Sequence, residues 1–317
     1  MSESRAYRWL HRVWYEAARS GWLLLPLSGL YWLVIVVRKY LFDRGILRSY
    51  RADAPVVVVG NITAGGTGKT PTVLWLADEL QKRGFRPGIV SRGYGGSHSG
   101  SSMRVDVNSE TSVVGDEPVL LARRGQCPVV VDPDRTRGAD MLIADGVDVV
   151  ISDDGLQHYR LQRDYEICVV DGARGLGNRK LLPAGPLRER AERLDDVEQV
   201  LVNGKLAGSE FVQTTAEQNA ISFDLVATEA RRLNGSLSRP LERFAGVTVH
   251  AVAAIGNPQR FFDLLRAQGI QLIEHRFPDH ALLQPADLRF GDDFEVFMTE
   301  KDAVKLDASL SDKYWYV

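Results

Sequence analysis

Val56-Val57-Val58-Val59-Gly60-Asn61-Ile62-Thr63-Ala64-Gly65-Gly66-Thr67-Gly68-Lys69-Thr70 is the stretch that decides the fold. Four consecutive valines read as a strand buried on both faces, as in a parallel sheet. A glycine run ending in Gly-Lys-Thr, placed between such a strand and a helix, is the arrangement of a nucleotide phosphate-binding loop. Each part has a chemical task. The glycines let successive backbone N–H groups converge on phosphate oxygens. Lys69 places a compact positive charge at the β/γ-phosphates, the Thr70 hydroxyl suits Mg²⁺, and the following helix offers its positive N-terminal end. Thr63, Ala64, Gly65, Gly66, Thr67, Gly68, Lys69 and Thr70 are therefore the expected nucleotide-binding residues, with Lys69 also catalytic. Thr63 stands where the usual pattern has its first glycine.

Outward from this loop, short β-rich runs alternate with helical stretches from Pro55 onward, which predicts a parallel sheet covered by helices. Helix is expected over Pro71–Arg83, Glu117–Arg124 and Arg135–Asp145. Strands are expected over Gly88–Ser91, Pro128–Asp132, Val147–Asp153, Tyr165–Asp171 and Gln199–Val202. Polar sequence around Asn234-Gly235-Ser236 reads as a linker. Beyond it a second α/β unit is expected, with strands at Val247–Ile255, Leu272–Phe277 and Phe294–Thr299 and a helix at Pro258–Gln268. The expected division is an N-terminal segment 1–50, a phosphate-loop domain 51–220, a linker 221–240 and a smaller α/β domain 241–317. A length of 317 residues accommodates two such cores.

The N-terminus has a different character. Gly21 to Val37 carries no charge, and Trp9, Trp14, Trp22 and Trp32 account for four of the six tryptophans. Tryptophan favours the membrane–water interface. Pro26 and Gly29 interrupt an apolar run shorter than the roughly 20 residues a span requires. Arginines and lysines flank both sides (Arg5, Arg8, Arg12 and Arg19 before; Arg38, Lys39, Arg44 and Arg48 after), so both ends are expected on the cytoplasmic side of an interfacial or re-entrant helix. No small-residue cleavage site follows, which argues against a signal peptide.

Composition narrows the function classes. A net charge of -2 gives no overall basic field, so no nucleic-acid partner is expected. The two cysteines, Cys127 and Cys168, form no disulfide framework and no zinc spacing.

Further chemistry is concentrated at a few loops. Val149–Asp154 is a strand delivering Asp153 and Asp154 at its C-terminal end, where ligands bind in open α/β sheets, and one of the two is the expected Mg²⁺ carboxylate. His158 follows closely. Gly115-Asp116-Glu117-Pro118 offers a second acidic pair, readable as a helix N-cap or as the carboxylate that accepts a hydroxyl proton in phosphoryl transfer. Arg92 and Tyr94 lie in a glycine-rich loop suited to closing over a ligand. Leu181–Glu189 reads as an apolar surface loop whose Arg188 suits bidentate phosphate binding. Arg92, Tyr94, Glu117, His158 and Arg188 are the candidate substrate-side residues.

Together these motifs resemble one family, the tetraacyldisaccharide 4'-kinases of lipid A biosynthesis. The likeness runs from the N-terminal helix through Gly60-Asn61…Gly68-Lys69-Thr70-Pro71, Ser91–Gly96, Gly115–Pro118, Asp153–His158 and Leu182–Glu189 to Phe277-Pro278-Asp279-His280 and Met298-Thr299-Glu300-Lys301-Asp302. The resemblance implies transfer of the ATP γ-phosphate to a hydroxyl of an acylated glucosamine disaccharide 1-phosphate. It implies a peripheral position on the cytoplasmic face of a Gram-negative inner membrane. It also implies a catalytic pair, Asp116 with His280 from the second domain. The family pattern continues beyond Trp315-Tyr316-Val317, so the last strand is the part of the fold that the resemblance does not carry. The competing class is a regulatory ATPase with a deviant phosphate loop, whose signature lysine would fall at position 64. That position is Ala64.

Overall fold

The computed structural model describes residues 5–16, 19–98, 100–205, 220–279, 281, 283–306, 310 and 312–317. The chain opens with α1 (Arg5–Tyr15), a 3-10 segment and α2 (Leu25–Asp43). The first sheet unit then runs β1 (Val56–Gly60), α3 (Lys69–Lys82), β2 (Pro87–Ser91), β3 (Met103–Val105), α4 (Thr111–Val114), α5 (Asp116–Arg124), β4 (Val129–Val131), α6 (Arg135–Ala144), β5 (Val149–Asp153), β6 (Tyr165–Asp171), β7 (Gln199–Asn203) and β8 (Ile221–Phe223). A second follows: β9 (Glu229–Arg232), β10 (Ser238–Pro240), β11 (Thr248–Ala253), α7 (Pro258–Ala267), β12 (Gln271–Arg276), β13 (Val296–Met298), α8 (Glu300–Ala303) and β14 (Tyr314–Tyr316).

Among the described residues, eight strands form the first sheet in the order β3-β4-β2-β5-β1-β6-β7-β8, all parallel except the β3 edge. After β1 the chain builds outward to β2 and β4 and returns through β5. It then crosses to the other side with β6 and β7. The order therefore reverses at β1, and the carboxyl ends of the strands open a crevice there. Alternate residues of β1 serve opposite faces. Val56 and Val58 join Ala139 and Leu142 of α6, while Val59 joins Val73 and Ala77 of α3 and Val119 and Leu121 of α5. A strand covered twice has no use for polar side chains, which is why it reads as unbroken valine. Cys168 lies in the first of these cores, as its apolar neighbours predict.

The segment 221–240 differs from a bare linker. β8 extends the first sheet beside β7, while β9 and β10 pair antiparallel and belong to the second. Asn234-Gly235 sits in the tight connection between β9 and β10, with Gly235 at φ +71° and Arg232 N donating to Leu237 O at 2.8 Å. An Asn-Gly pair is a hairpin signal. The strands either side are short and polar, so alternation did not reveal them. β3 and α4, each of three or four residues, are too short to show a period.

The second sheet, ordered β10-β9-β14-β13-β11-β12, is parallel through β14-β13-β11-β12. β14 is formed and central. Trp315 is fully buried, stacked with Phe297 at 6.3 Å between ring centroids and edge-on to Phe244 at 5.2 Å, with its indole N–H donating to Glu295 Oε1 at 3.1 Å.

Loop 181–189, expected on the surface, is instead largely buried. Ala184 and Leu187 are wholly covered. The N-terminal helices sit on it. Trp14 Nε1 donates to Pro183 O at 2.9 Å, Ser28 Oγ donates to Leu181 O at 2.9 Å and accepts from Ala184 N at 3.0 Å, and Tyr31 Oη donates to Arg188 O at 2.9 Å. Apolar loop residues that look exposed in sequence are covered by helices more than 140 positions away.

Trp315→Ala is expected to destabilise the protein by about 3–5 kcal/mol through loss of packing in the second sheet. A urea titration of the folded state measures it, and a midpoint equal to wild type would show that β14 adds little to that core.

Candidate active site

The phosphate-binding loop leaves β1 and enters α3 through two residues held at positive φ, Gly65 at +104° and Gly68 at +102°. Side chains are strained there, which explains glycine at both positions. Thr63 needs no such freedom: it is buried and bridges to Leu187, prolonging the strand. The loop is braced on every side. Asn61 Nδ2 donates to Gly65 O at 3.2 Å, Asn203 Nδ2 at the end of β7 donates to Thr67 O at 3.0 Å, and Ala64 N donates to Pro186 O at 2.7 Å. From the second unit, the turn after β11 closes down: a Cβ added at Gly256 would lie 3.2 Å from Gly66 N and 3.1 Å from an Asp279 carboxylate oxygen. Arg174 clamps the same turn, donating to Gly256 O at 2.7 Å.

Lys69 stands at the start of α3 with its side chain only 12% exposed, 3.5 Å from Asp154 Oδ1. Arg188 reaches the same carboxylate from loop 181–189, 3.0 Å from each oxygen. Burial alone would raise the Asp154 pKa, but the Lys69 and Arg188 charges outweigh it and hold the group below the usual carboxylate range. Asp154 takes φ +48°, so the chain turns sharply between the two aspartates. Asp153 stays beneath the sheet end, fully buried, accepting from Ser91 Oγ at 3.2 Å. Its pKa is pushed up, first by burial and then by the neighbouring charges of Glu117 and Asp154. A buried carboxylate kept uncomfortable by two others is a place for a cation. With Thr70 on the first turn of α3, Asp153 and Asp154 fit Mg²⁺, which takes one or two protein oxygens and completes its shell with phosphate and water. Among the described residues no three His, Cys, Asp or Glu side chains converge as a self-sufficient metal cage, in keeping with that division.

Asp116 opens α5 and is buried, with Oδ1 accepting from Glu117 N at 3.0 Å. Gly115 before it, at φ +92°, has no room for a side chain: a Cβ would lie 2.5 Å from Tyr94 O. The Ser91–Gly96 loop thus rests by its backbone on the start of α5, with Arg92 and Tyr94 exposed at its rim. Glu117 is held by Lys301 of α8, Nζ to Oε1 2.7 Å. Burial would lower the Lys301 pKa, but Glu117, Asp116 and Asp279 raise it, so the ammonium stays charged. Lys305 lies 3.6 Å from Asp116 Oδ2. His280 lies outside the described residues, but its neighbour Asp279 stands against the Gly256 turn and acts on Lys301.

His158 is set apart from this cluster. Its Nε2 is buried without a hydrogen-bond partner among the described residues. Its pKa falls to about 4, chiefly by burial and then by the Arg135 charge, so the ring is neutral. Arg135 in turn donates to the carbonyls of Asp153 and Asp154, each at 3.4 Å.

The sequence reading missed Asn203, Arg174, Arg135, Lys301 and Lys305. Asn203 had a signal, since it ends a strand at the carboxyl edge of the sheet, and Lys301 lies inside the Met298–Asp302 motif. Lys305 had none, because only the docking of α8 on α5 brings it to Asp116.

Residues 20–317 match the family model described as tetraacyldisaccharide-1-P 4'-kinase. The chain belongs to this family. A tetraacyldisaccharide 4'-kinase of Nitrosococcus oceani is 48% identical over 307 residues, covering 96% of this chain and 88% of that protein. The one from Alkalilimnicola ehrlichii is 49% identical over 317 residues, covering 100% and 92%. Among solved structures, LpxK from Aquifex aeolicus in complex with ATP superposes with a TM-score of 0.75 at 28% identity, covering 93% of this chain and 92% of that one. The family assignment agrees with the phosphate-loop fold, the second α/β unit and the apolar N-terminal helix.

Lys69→Ala is expected to leave the unfolding temperature near wild type and to reduce phosphoryl transfer by at least about 10²–10³-fold, the scale of losing one preorganised charge at the reacting phosphate. Thermal melting alongside a turnover assay checks both. Transfer at the wild-type rate would remove Lys69 from the machinery.

Proposed function

We propose that this chain transfers the γ-phosphate of ATP to the 4'-hydroxyl of a tetraacylated glucosamine disaccharide 1-phosphate, in lipid A biosynthesis, at the cytoplasmic face of a Gram-negative inner membrane. One observation carries the reading. Loop 181–189 is at once the seat of the apolar helix α2 and a wall of the phosphate-binding loop, through Tyr31 to Arg188 O on one side and Arg188 to Asp154 on the other. A lipid acceptor held at the helix is thereby presented to the nucleotide.

α2 belongs to a stretch, Gly21–Asp43, whose 23 residues are long and apolar enough to cross a bilayer. Its contacts favour lying in the interface instead. Ser28, Tyr31, Arg38 and Lys39 dock along the kinase unit, the last two on Gln157 O at 3.0 Å and Asp196 at 3.4 Å. They span about 16 Å of helix at 1.5 Å per residue, more than a water-soluble unit could follow into hydrocarbon. The opposite face presents Trp22, Leu30, Leu33, Val34 and Val37 to the surroundings, with Trp22 65% exposed. That exposed apolar side is what the helix would bury in one leaflet, with basic residues at its ends.

In the transfer itself, Lys69 and Arg188 meet phosphate oxygens once nucleotide displaces them from Asp154. Thr70 and Asp153 would hold Mg²⁺, which when bound neutralises charge on the β/γ-phosphates. Asp116 accepts the proton of the attacking hydroxyl, and His280, assigned by the family resemblance, orients or relays it. Arg92 and Tyr94, exposed at the rim, face incoming substrate. Glu117 is committed to Lys301, and His158 is neutral and half-buried near Arg135, which bonds the Asp153 and Asp154 carbonyls. Ala64, tied by its N–H to Pro186 of its own chain, leaves no lysine to reach across a dimer, which disfavours the regulatory ATPase class.

Incubation with labelled ATP and the acylated disaccharide 1-phosphate is expected to place label on the lipid at the 4' position. Asp116→Ala should lower kcat by about 10²–10⁴-fold without weakening nucleotide binding. ATP hydrolysis with no lipid labelling would overturn the reading.

Lipid vesicles are expected to shift tryptophan emission to the blue, and Trp22→Phe with Trp32→Phe should remove most of that shift. An unchanged spectrum would place the lipid contact elsewhere.

A further inference from the structure

The second sheet unit reaches beyond the phosphate-binding loop to α5. The turn after α8 pushes Val304 into the apolar cluster that holds Val119, Leu120 and Leu121. The same turn carries Lys305 to the head of α5. Its side chain is 2% exposed, and its ammonium lies 2.8 Å from Asp302 Oδ1 and 3.6 Å from Asp116 Oδ2. Asp302 is wholly buried, and its second oxygen accepts from Ala254 N at 2.9 Å and Thr299 Oγ1 at 2.7 Å. Asp116 Oδ1 is already taken by Glu117 N.

Burying such a trio costs several kcal/mol per ion, and apolar residues of equal volume would commonly dock two surfaces at lower cost. The strength of docking therefore does not account for the charges. Their arrangement does one specific thing: it sets a charge from the other unit beside Asp116 Oδ2 while Oδ1 is bonded within its own helix.

We propose that Lys305 is a positioning residue for phosphoryl transfer, orienting the Asp116 carboxylate from the second unit and tying it to the strand end that rests on the phosphate-binding loop. The proposal depends on Asp116 being the proton acceptor. The connection is continuous. Lys305 is held by Asp302, and Asp302 grips Ala254. Two residues on, Gly256 lies against Gly66 and Asp279. A shift of the second unit relative to the loop therefore reaches Asp116 through this chain. Lys305 brings a positive charge to within 3.6 Å of Asp116, while Lys301 beside it bonds Glu117 and Lys69 pairs with Asp154. Misplacement of a reacting group by about 1 Å can cost on the order of 10²-fold in rate, so a buried clamp on a base has a large lever.

The test is a double-mutant cycle on the full chain with Lys305→Met and Asp116→Asn, reading kcat, KM for ATP and lipid, ATP affinity and thermal unfolding. Lys305→Met is expected to lower kcat by about 10- to 100-fold with ATP affinity unchanged. In the Asp116→Asn background it should cost nothing further, because it acts through a group already disabled. Multiplicative losses, or wild-type kcat in Lys305→Met, overturn the proposal while leaving Asp116 as the base. Wild-type turnover in Asp116→Asn removes the base assignment, and this proposal with it. If Lys305→Met does not fold, Asp302→Asn keeps the ammonium but loosens its anchor. The same non-additivity with Asp116→Asn is expected there, and multiplicative losses would again overturn the role of Lys305.

Discussion

The contact on which the rest of the site depends is the charge cluster of Asp154 with Lys69 and Arg188. Each group comes from a different part of the chain: the end of β5, the first turn of α3 and the loop under the N-terminal helices. A lysine and an arginine gathered for a polyphosphate would repel one another and sit poorly out of water. Asp154 offsets both and keeps them in place. The residues that carry the strain are legible around it. Asp154 takes a left-handed backbone, and Asp153 stays buried with its carboxyl disfavoured as an anion. Such tension is a common mark of a site built for a charged ligand.

A second cluster is organised the same way at the opposite wall. α5 presents Asp116 and Glu117 at its N-terminus, and α8 with the turn after it answers with Lys301 and Lys305. Arg124 and Glu300 add a third pair at 3.4 Å between the same elements. The two sheets thus meet through buried or half-buried ion pairs grouped around one apolar key, Val304. Paired charges accept few geometries, so this junction specifies how the second unit faces the phosphate-binding loop more sharply than apolar contact would.

The apolar N-terminal helices and the phosphate-binding loop are joined by loop 181–189. Its carbonyls receive Trp14, Ser28 and Tyr31, its backbone continues as an extra rung beside Thr63, and its arginine enters the charge cluster. Glu189 fixes the far end, accepting from Gln157 at 2.6 Å and Tyr159 at 2.7 Å. A displacement of α2 has few ways to be absorbed before it reaches the phosphate-binding loop.

What the sequence determined by itself is whatever depends on neighbours within a few residues. β1, the glycine loop, α3 and the buried β6 follow from local patterns with strong physical causes: unbroken β-branched residues, backbone freedom at Gly65 and Gly68, and helical spacing. β3, β8 and the β9–β10 hairpin were not visible, because strands of three or four residues are too short to show a period and exist only by pairing with a sheet already formed. Tertiary structure alone decided the remainder. It covered loop 181–189 with distant helices, brought Lys305 to Asp116 from the far end of the chain, and drew Gly256 onto Gly66. Each of these joins segments far apart in sequence whose only link is packing and charge pairing. Such contacts leave no periodicity for a sequence reading to find.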